Sequence, residues 1–272
     1  MQKRLLILIL LICIGLSFAD TIDFLNWSVK IAIKEQPEEP REFQNLLNTQ
    51  AKKIIKQVYF DSSQTVAEYL ANNPKIMRQF ERLEINSQEL ANKFLSDGSL
   101  ITEYEAPITG LVLKTLIPYT GGGTPLVPLC CPVCKRPWPE NMEVPKDVKL
   151  IPLEEDGTPR YTGVLIDARD ISLNPALFPK IYTEDNREAY SLSFAKPEYC
   201  AERGLLVYAR SLTEAFENER VGINPIRITA IKSIGKNNTD IVISTSAGKL
   251  LHSSQNNLKL LEQCKVVVLI SE

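Results

Sequence analysis

The most reactive segment of the sequence is the run CCPVCKRPWP at residues 130–139. Cys131 and Cys134 are separated by two residues, a spacing that lets two thiolates turn back on one tetrahedral metal ion. A closed structural zinc site needs four ligands, and the sequence has no second C-x-x-C pair. The other candidate ligands are Cys130, Cys200, Cys264 and His252, or a cysteine pair from a second subunit. Zinc is therefore the candidate cofactor.

Two other chemistries fit the same cysteine pair. An oxidising compartment favours a disulfide instead of a metal. The C-P-V-C spacing also resembles the redox motif of thioredoxin-like proteins, which works at a helix N-terminus because the helix dipole lowers the thiol pKa. Pro137 and Pro139 prevent a helix at this place. The sequence thus favours a structural role for the pair, as a metal site or as a disulfide.

Other residues that could do chemistry are isolated. The chain has one histidine, so a triad would have to use His252, and a site with several histidines is excluded. His252 lies on the polar face of a predicted helix, where a surface position is expected. Asp167 with Arg169 and Asp170 is interpreted as a strand-end ion pair, and Glu103 with Glu105 as one face of a strand. Asn237 to Thr239 matches a glycosylation acceptor and fits equally a turn before a strand.

The first nineteen residues have the pattern of a secretory signal peptide. Two basic residues precede an apolar run over residues 5–16, and small residues stand just before Asp20. The run is shorter than the roughly 20 residues that span a bilayer, so we expect cleavage before Asp20. Cys13 follows Ile12, whereas lipidated cysteines follow a small residue, so lipidation is not expected. We expect a secreted protein of the periplasm or outer membrane, with no transmembrane segment in the mature chain.

Composition and charge restrict the class of protein. Hydrophobic residues make up 44% of the chain and charged residues 24%, which is typical of a globular protein. The 31 basic and 33 acidic residues give a net charge of −2. A nucleic-acid partner is not indicated, because such proteins usually carry a basic face. No coherent catalytic constellation emerges, so we expect a protein that is not an enzyme.

Hydrophobic periodicity predicts an α+β fold in two small domains, each with helices packed on a mostly antiparallel sheet. We expect a strand over 24–33, an amphipathic helix over 41–58, two short helices, strands near 85–95 and 99–105, and a last strand over 111–117. Strands and two helices, near 211–219 and 246–262, are expected in the second half, with a strand buried on both faces at 266–270. The predicted divisions are a signal peptide at 1–19, an N-terminal domain at 20–117, a Pro/Gly/Cys-rich linker at 118–147 and a C-terminal domain at 148–272.

Several longer stretches together resemble a known family. They are DFLNWSVKIAI, AKKIIKQV, SSQTVAEYL, LSDGSLITEYEAPITG, CPVCKRPWPE, YTGVLIDARDISLNPALFPKIYTEDNREAY and the tail from NERVGINPIRITAI to LEQCKVVVLI. With them the chain resembles the exported bacterial proteins grouped with the LPP-type outer-membrane lipoproteins and the flagellar assembly proteins FlgP and FlgT. In many of those relatives a glycine follows the second cysteine, where this chain has Lys135.

The resemblance implies a location and a kind of role, but no catalytic residue. It implies a cell-envelope protein with a structural or assembly function, of which flagellar assembly is one. Envelope or flagellar proteins are the implied partners, and a homo-oligomer is expected because edge strands present unpaired backbone groups. The lipidated cysteine of the lipoprotein members is absent. The alternative hypothesis is a periplasmic thiol-disulfide or metal-binding protein that uses Cys131 and Cys134.

Overall fold

A computed structural model describes residues 21–34, 40–118, 122–139, 141–154 and 159–271. The predicted signal peptide and Cys13 lie outside these ranges. Within them the chain forms a mixture of helices and sheets, which confirms the predicted α+β class. In the described part of the chain, no helix has both the length and the apolar character needed to cross a bilayer.

The N-terminal half is built on one antiparallel sheet, as predicted. Its strands are β1 (Thr21–Asp23), β2 (Ser28–Ile33), β3 (Gln88–Phe94) and β4 (Leu100–Pro107). They pair in the order β1-β2-β4-β3. Helix α1 (Pro40–Gln57) contacts β2 and buries Leu47, Ala51 and Ile55. These residues recur at helical spacing, and this periodicity made the helix predictable.

The predicted strand over 24–33 begins later than expected. The Asp23 carboxylate accepts hydrogen bonds from the backbone N–H groups of Leu25 (2.9 Å) and Asn26 (3.1 Å), which turns the chain before β2. Trp27 then adopts a φ of 53°. Its side chain is nevertheless buried, at 2% exposed.

The two short helices that follow begin at a capping threonine and at a proline. Helix α2 (Val66–Asn72) is preceded by Thr65, whose hydroxyl accepts the N–H of Glu68 while the Glu68 carboxylate accepts the N–H of Thr65. This reciprocal pair is a capping box. Helix α3 (Pro74–Glu81) has proline at its first position, where the missing N–H costs nothing.

The prediction of a strand over 111–117 was wrong. Residues Leu111–Leu116 form helix α4, preceded by Gly110 at a φ of 72°. Val112, Leu113 and Leu116 are buried, and their spacing places them on one side of a helix. A short apolar run is compatible with either structure when it is taken alone. Packing of α4 against its neighbouring helices decides between them.

The C-terminal half contains two sheets with different strand directions. The first comprises β7 (Gly163–Asp167), β10 (Val207–Ala209), β11 (Pro225–Thr229) and β14 (Val266–Leu269). All its pairings are parallel, in the order β10-β14-β7-β11. The expectation of a mostly antiparallel sheet was therefore wrong here. All four residues of β14 are buried, as predicted for a strand covered on both faces.

The second sheet of this half is mixed. It comprises β8 (Ile181–Thr183), β9 (Glu188–Tyr190), β12 (Lys232–Ile234) and β13 (Asp240–Ile243). They lie in the order β12-β13-β8-β9, and only the central pair is parallel. The helices of this half are α5 (Pro197–Arg203), α6 (Leu212–Glu217), α7 (Thr245–Leu251) and α8 (Gln255–Glu262). The single helix predicted over 246–262 is thus two, because the Ser254 hydroxyl accepts the N–H of Asn257 and starts α8 anew.

The segment predicted as an irregular linker contains a short strand. Strand β5 (Leu129–Cys130) pairs antiparallel with β6 (Ile151–Pro152). The cysteine turn follows directly after β5. Pairing of β5 with β6 therefore fixes the position of the turn.

The two halves share one hydrophobic core. The Trp27 indole N–H donates to the Leu206 carbonyl at 2.9 Å, and the Phe24 ring lies edge-on to the Tyr208 ring at 5.4 Å. The Leu177 and Phe178 N–H groups donate to the carbonyls of Tyr59 and Phe60, both at 2.9 Å. These contacts join the two halves, whose buried side chains belong to the same core.

Candidate functional site

The cysteine-rich run folds into a tight turn closed by its own backbone. The Cys131 N–H donates to the Arg136 carbonyl at 3.0 Å, and the Lys135 N–H donates to the Cys131 carbonyl at 3.0 Å. Cys130 and Pro137 form an antiparallel bridge just outside these bonds. The turn is therefore a small hairpin in which Cys131 and Cys134 face one another across two residues.

Lys135 takes the backbone conformation that favours glycine. Its φ is 58°, in the left-handed region where most side chains cost about 1 kcal/mol or more. The turn is thus formed with a lysine at this position. Lys135 and its neighbour Arg136 are both exposed.

Backbone N–H groups are directed at the Cys131 sulfur. The N–H of Cys134 and that of Val133 donate to it, and the Cys134 thiol makes a further hydrogen bond. These bonds lower the pKa of the Cys131 thiol, the Cys134 N–H contributing most, with a smaller contribution from the charge of Lys135. Cys131 is half-buried, Cys134 is exposed and the Val133 side chain at the tip is 88% exposed. The turn presents two prearranged sulfurs, one of them biased toward the thiolate.

The other three cysteines are buried elsewhere. The Cys130 thiol, in β5, lies 3.8 Å from the Pro152 carbonyl of β6. Cys200, in α5, and Cys264, just after α8, are both 0% exposed and hydrogen-bond to each other. That bond and burial raise the pKa of the Cys200 thiol. All five cysteines of the described residues are free thiols.

The structure does not gather the candidate additional ligands around Cys131 and Cys134. Across residues 21–271, leaving aside the gaps in the description, no group of three or more His, Cys, Asp or Glu side chains could hold a metal ion. Cys130, Cys200 and Cys264 are engaged in the contacts just described. The turn therefore supplies half of a tetrahedral ligand set.

His252 is buried, and the predicted surface position was wrong. It is 0% exposed. Its Nδ1 accepts the Leu126 N–H at 2.8 Å, so its Nε2 carries the hydrogen and donates to the Ala189 carbonyl at 2.8 Å. Burial lowers the pKa of His252 to about 4. The imidazole is a neutral link between strand β9 and the segment that precedes the cysteine turn.

The remaining candidates make ordinary structural contacts. Arg169 and Asp167 form an ion pair at 2.6 Å at the end of β7, as predicted, and the hydrogen bond from Arg169 lowers the pKa of Asp167. Glu103 pairs with Lys93 at 2.6 Å, and Glu105 accepts a hydrogen bond from the Ser28 hydroxyl. Residues 237–239 lie in the turn that precedes β13 and just after that turn, as one of the two interpretations predicted.

Sequence reasoning missed the polar cluster around the buried cysteine pair. Arg220 is 4% exposed and donates to the carbonyls of Arg203, Gly204 and Cys264. Burial lowers the pKa of its guanidinium to about 10. These partners are scattered along the chain, and no local sequence signal connects them.

One comparison with known proteins finds a family model that is similar to the C-terminal part of the chain. A family model described as Treponema pallidum Tp0624, second domain, matches residues 163–272. The match covers all strands of the parallel sheet and of the mixed sheet, and it begins after the cysteine turn. None of the curated proteins matches the chain.

Proposed function

We propose that the chain is a non-enzymatic, exported cell-envelope protein with a structural or assembly role, and that the turn holding Cys131 and Cys134 is its binding site. The proposal places it with the LPP-type outer-membrane lipoproteins and the flagellar assembly proteins FlgP and FlgT. Its partners are then envelope or flagellar proteins, or a second copy of the chain.

The exposure of the Cys131–Cys134 pair is the observation that carries this proposal. The other cysteine and histidine side chains of the described residues are buried: His252 links two segments, Cys130 lies against β6, and Cys200 and Cys264 lie in the core. The turn alone among the cysteine and histidine groups described presents its side chains to solvent, with hydrogen bonds directed at one sulfur. A surface pair of thiols held by backbone bonds is suited to binding a metal or a partner.

Export is tested by the N-terminus and by fractionation. The pattern of residues 1–19 and the resemblance support a mature chain that begins at Asp20. N-terminal sequencing of protein from the native host should find Asp20 first, in the periplasmic or outer-membrane fraction. Intact residues 1–19 on most molecules, or lipid on Cys13, would contradict the proposal.

Binding at the turn is tested by photo-crosslinking in the intact envelope. A Val133→p-benzoylphenylalanine variant places a reactive group at the 88% exposed tip. Ile223, which is 97% exposed in the C-terminal half, gives a matched control position. We expect adducts with an envelope protein or a second copy from position 133 only, lost when Cys131→Ser and Cys134→Ser are added. Equal adducts from both positions would contradict a binding role for the turn.

Thiol-disulfide exchange is the second candidate, because the lowered pKa of Cys131 favours a reactive thiolate. The motif of thioredoxin-like enzymes stands at a helix N-terminus, whereas residues 132–134 form a turn and no helix begins there. An insulin-reduction assay separates the two functions. Turnover by the native chain that disappears in Cys131→Ser would overturn the non-enzymatic proposal.

A further inference from the structure

The cysteine turn has the local features of a zinc-binding knuckle but supplies only two ligands. Its closing bonds, between Cys131 and Arg136 and between Lys135 and Cys131, hold the two cysteines at the outer end of a narrow hairpin. The N–H groups of Val133 and Cys134 donate to the Cys131 sulfur.

We propose that this turn binds one zinc ion jointly with the same turn of a second copy, so that Cys131 and Cys134 of both chains form a closed four-sulfur site. This inference rests on the proposed binding role of the turn. It goes further by naming the ligand, its stoichiometry and the partner.

The second copy follows from what surrounds the two sulfurs. Structural zinc is four-coordinate, and within the described ranges no third His, Cys, Asp or Glu side chain joins the pair as a ligand group. The tip is exposed at Val133 and Cys134, so another chain can approach it. A second copy related by a two-fold axis through the metal supplies the two missing thiolates from its own Cys131 and Cys134. This is the arrangement of an isologous dimer, in which both subunits use the same surface.

The charges around the turn suit such a site. Four thiols release four protons to solvent when they bind one divalent zinc ion, which leaves a cluster with a net charge of about −2. Lys135 and Arg136 stand next to the ligands and are exposed. Two copies therefore bring four positive charges to the rim of the site, which offset the negative charge of the cluster.

Zinc titration of the exported chain, kept reduced with a phosphine and free of chelator, tests the proposal. The molar mass is followed by light scattering and bound zinc by elemental analysis. The Cys131→Ser, Cys134→Ser double variant removes the ligands. Cys130→Ala is the matched control, since this neighbouring thiol is buried against the Pro152 carbonyl. Circular dichroism confirms that each variant is folded.

The expected result is about half a zinc ion per chain and a roughly two-fold rise in mass. Chelator should reverse both, the double variant should show neither, and Cys130→Ala should behave as the native chain. One zinc ion per monomeric chain would overturn the shared site while leaving a binding role for the turn. No zinc at all would overturn this inference, and thiol-exchange turnover in the same preparation would overturn the proposed function as well.

Discussion

At the residue scale, the five cysteines divide into two chemical classes. Cys131 and Cys134 reach the surface, whereas Cys130, Cys200 and Cys264 are buried. This division follows from the fold, because Cys130 lies on a strand, Cys200 lies within a helix and Cys264 lies just after one, each at a buried position.

Alkylation of the native, reduced, metal-free chain should therefore label two positions. We expect iodoacetamide to modify Cys131 and Cys134, and the other three only after unfolding, as read by peptide mass spectrometry. Cys131 should react at a lower pH than a free cysteine does, because the N–H groups directed at its sulfur lower its pKa. Rapid labelling of Cys200 or Cys264 in the folded chain would contradict the burial.

His252 should make the stability of the chain depend on pH. Its folded pKa of about 4 lies below the unfolded value, so the unfolded state binds the extra proton as the pH falls from about 6.5 to 4. The contribution of the neutral imidazole is complete above pH 6.5 and is lost on acidification. Between pH 7.5 and pH 5 the free energy of unfolding should fall by about 2 kcal/mol through this group.

The pH effect is measured by urea unfolding of the native chain and of His252→Gln at both pH values. The variant should be less stable at neutral pH because it disturbs the hydrogen bonds to Leu126 and Ala189. Its loss of stability between the two pH values should be smaller than that of the native chain. An equal loss in both proteins would show that His252 does not titrate as its burial requires.

At the scale of the elements, α4 is the segment whose apolar sequence pattern predicts a strand and whose packed structure is a helix. Leu113 is 0% exposed and Leu111 is 65% exposed. In a strand these two residues would point to the same face, whereas in a helix they lie on different sides. Substitution of each leucine therefore distinguishes the two structures.

Leu113→Ala should destabilise the chain by about 2–5 kcal/mol, because it leaves a cavity in the core. Leu111→Ala should change the free energy of unfolding by less than about 0.5 kcal/mol, as exposed positions do. Urea unfolding monitored by circular dichroism measures both. Similar losses for the two variants would favour the strand that the apolar pattern suggested.

Elements set by neighbouring residues could be predicted from the sequence, whereas contacts between distant segments could not. Helix α1 follows from a periodic pattern over 18 residues, and the starts of α2 and α3 follow from Thr65 and Pro74. The cysteine turn was also predictable, since both cysteines and the closing bonds lie within six residues. The burial of His252 was not, because its partners Leu126 and Ala189 are 126 and 63 residues away. The parallel pairing of β7 with β14 is equally remote along the chain.

At the scale of the whole molecule, the shared core makes the two halves depend on each other. Gly204 follows α5 at a φ of 78°, and a Cβ atom there would overlap the Trp27 indole ring. Gly98, in the turn between β3 and β4, has a φ of 83°, and a Cβ atom there would meet nothing within 4 Å. Both glycines have a positive φ, but Gly204 also has a ψ of 160°, a combination that is essentially restricted to glycine, and it alone contacts the other half.

Gly98→Ala should cost about 1 kcal/mol, from the left-handed backbone alone. Gly204→Ala should cost about 1–3 kcal/mol more, because the added methyl displaces Trp27 and because alanine is strained at a φ of 78° with a ψ of 160°. Both are read from urea unfolding, followed by tryptophan fluorescence and by circular dichroism. Equal costs for the two variants would show that the contact between Trp27 and Gly204 does not support the fold.

The binding role of the cysteine turn is tested most directly by native mass spectrometry of the chain purified from its host envelope without chelator. The expected species is a dimer that carries one zinc ion, and Cys131→Ser with Cys134→Ser should convert it to a metal-free monomer. A metal-free monomer from the native chain, with Cys131 and Cys134 joined in a disulfide that turns over a thiol substrate, would contradict the proposed function.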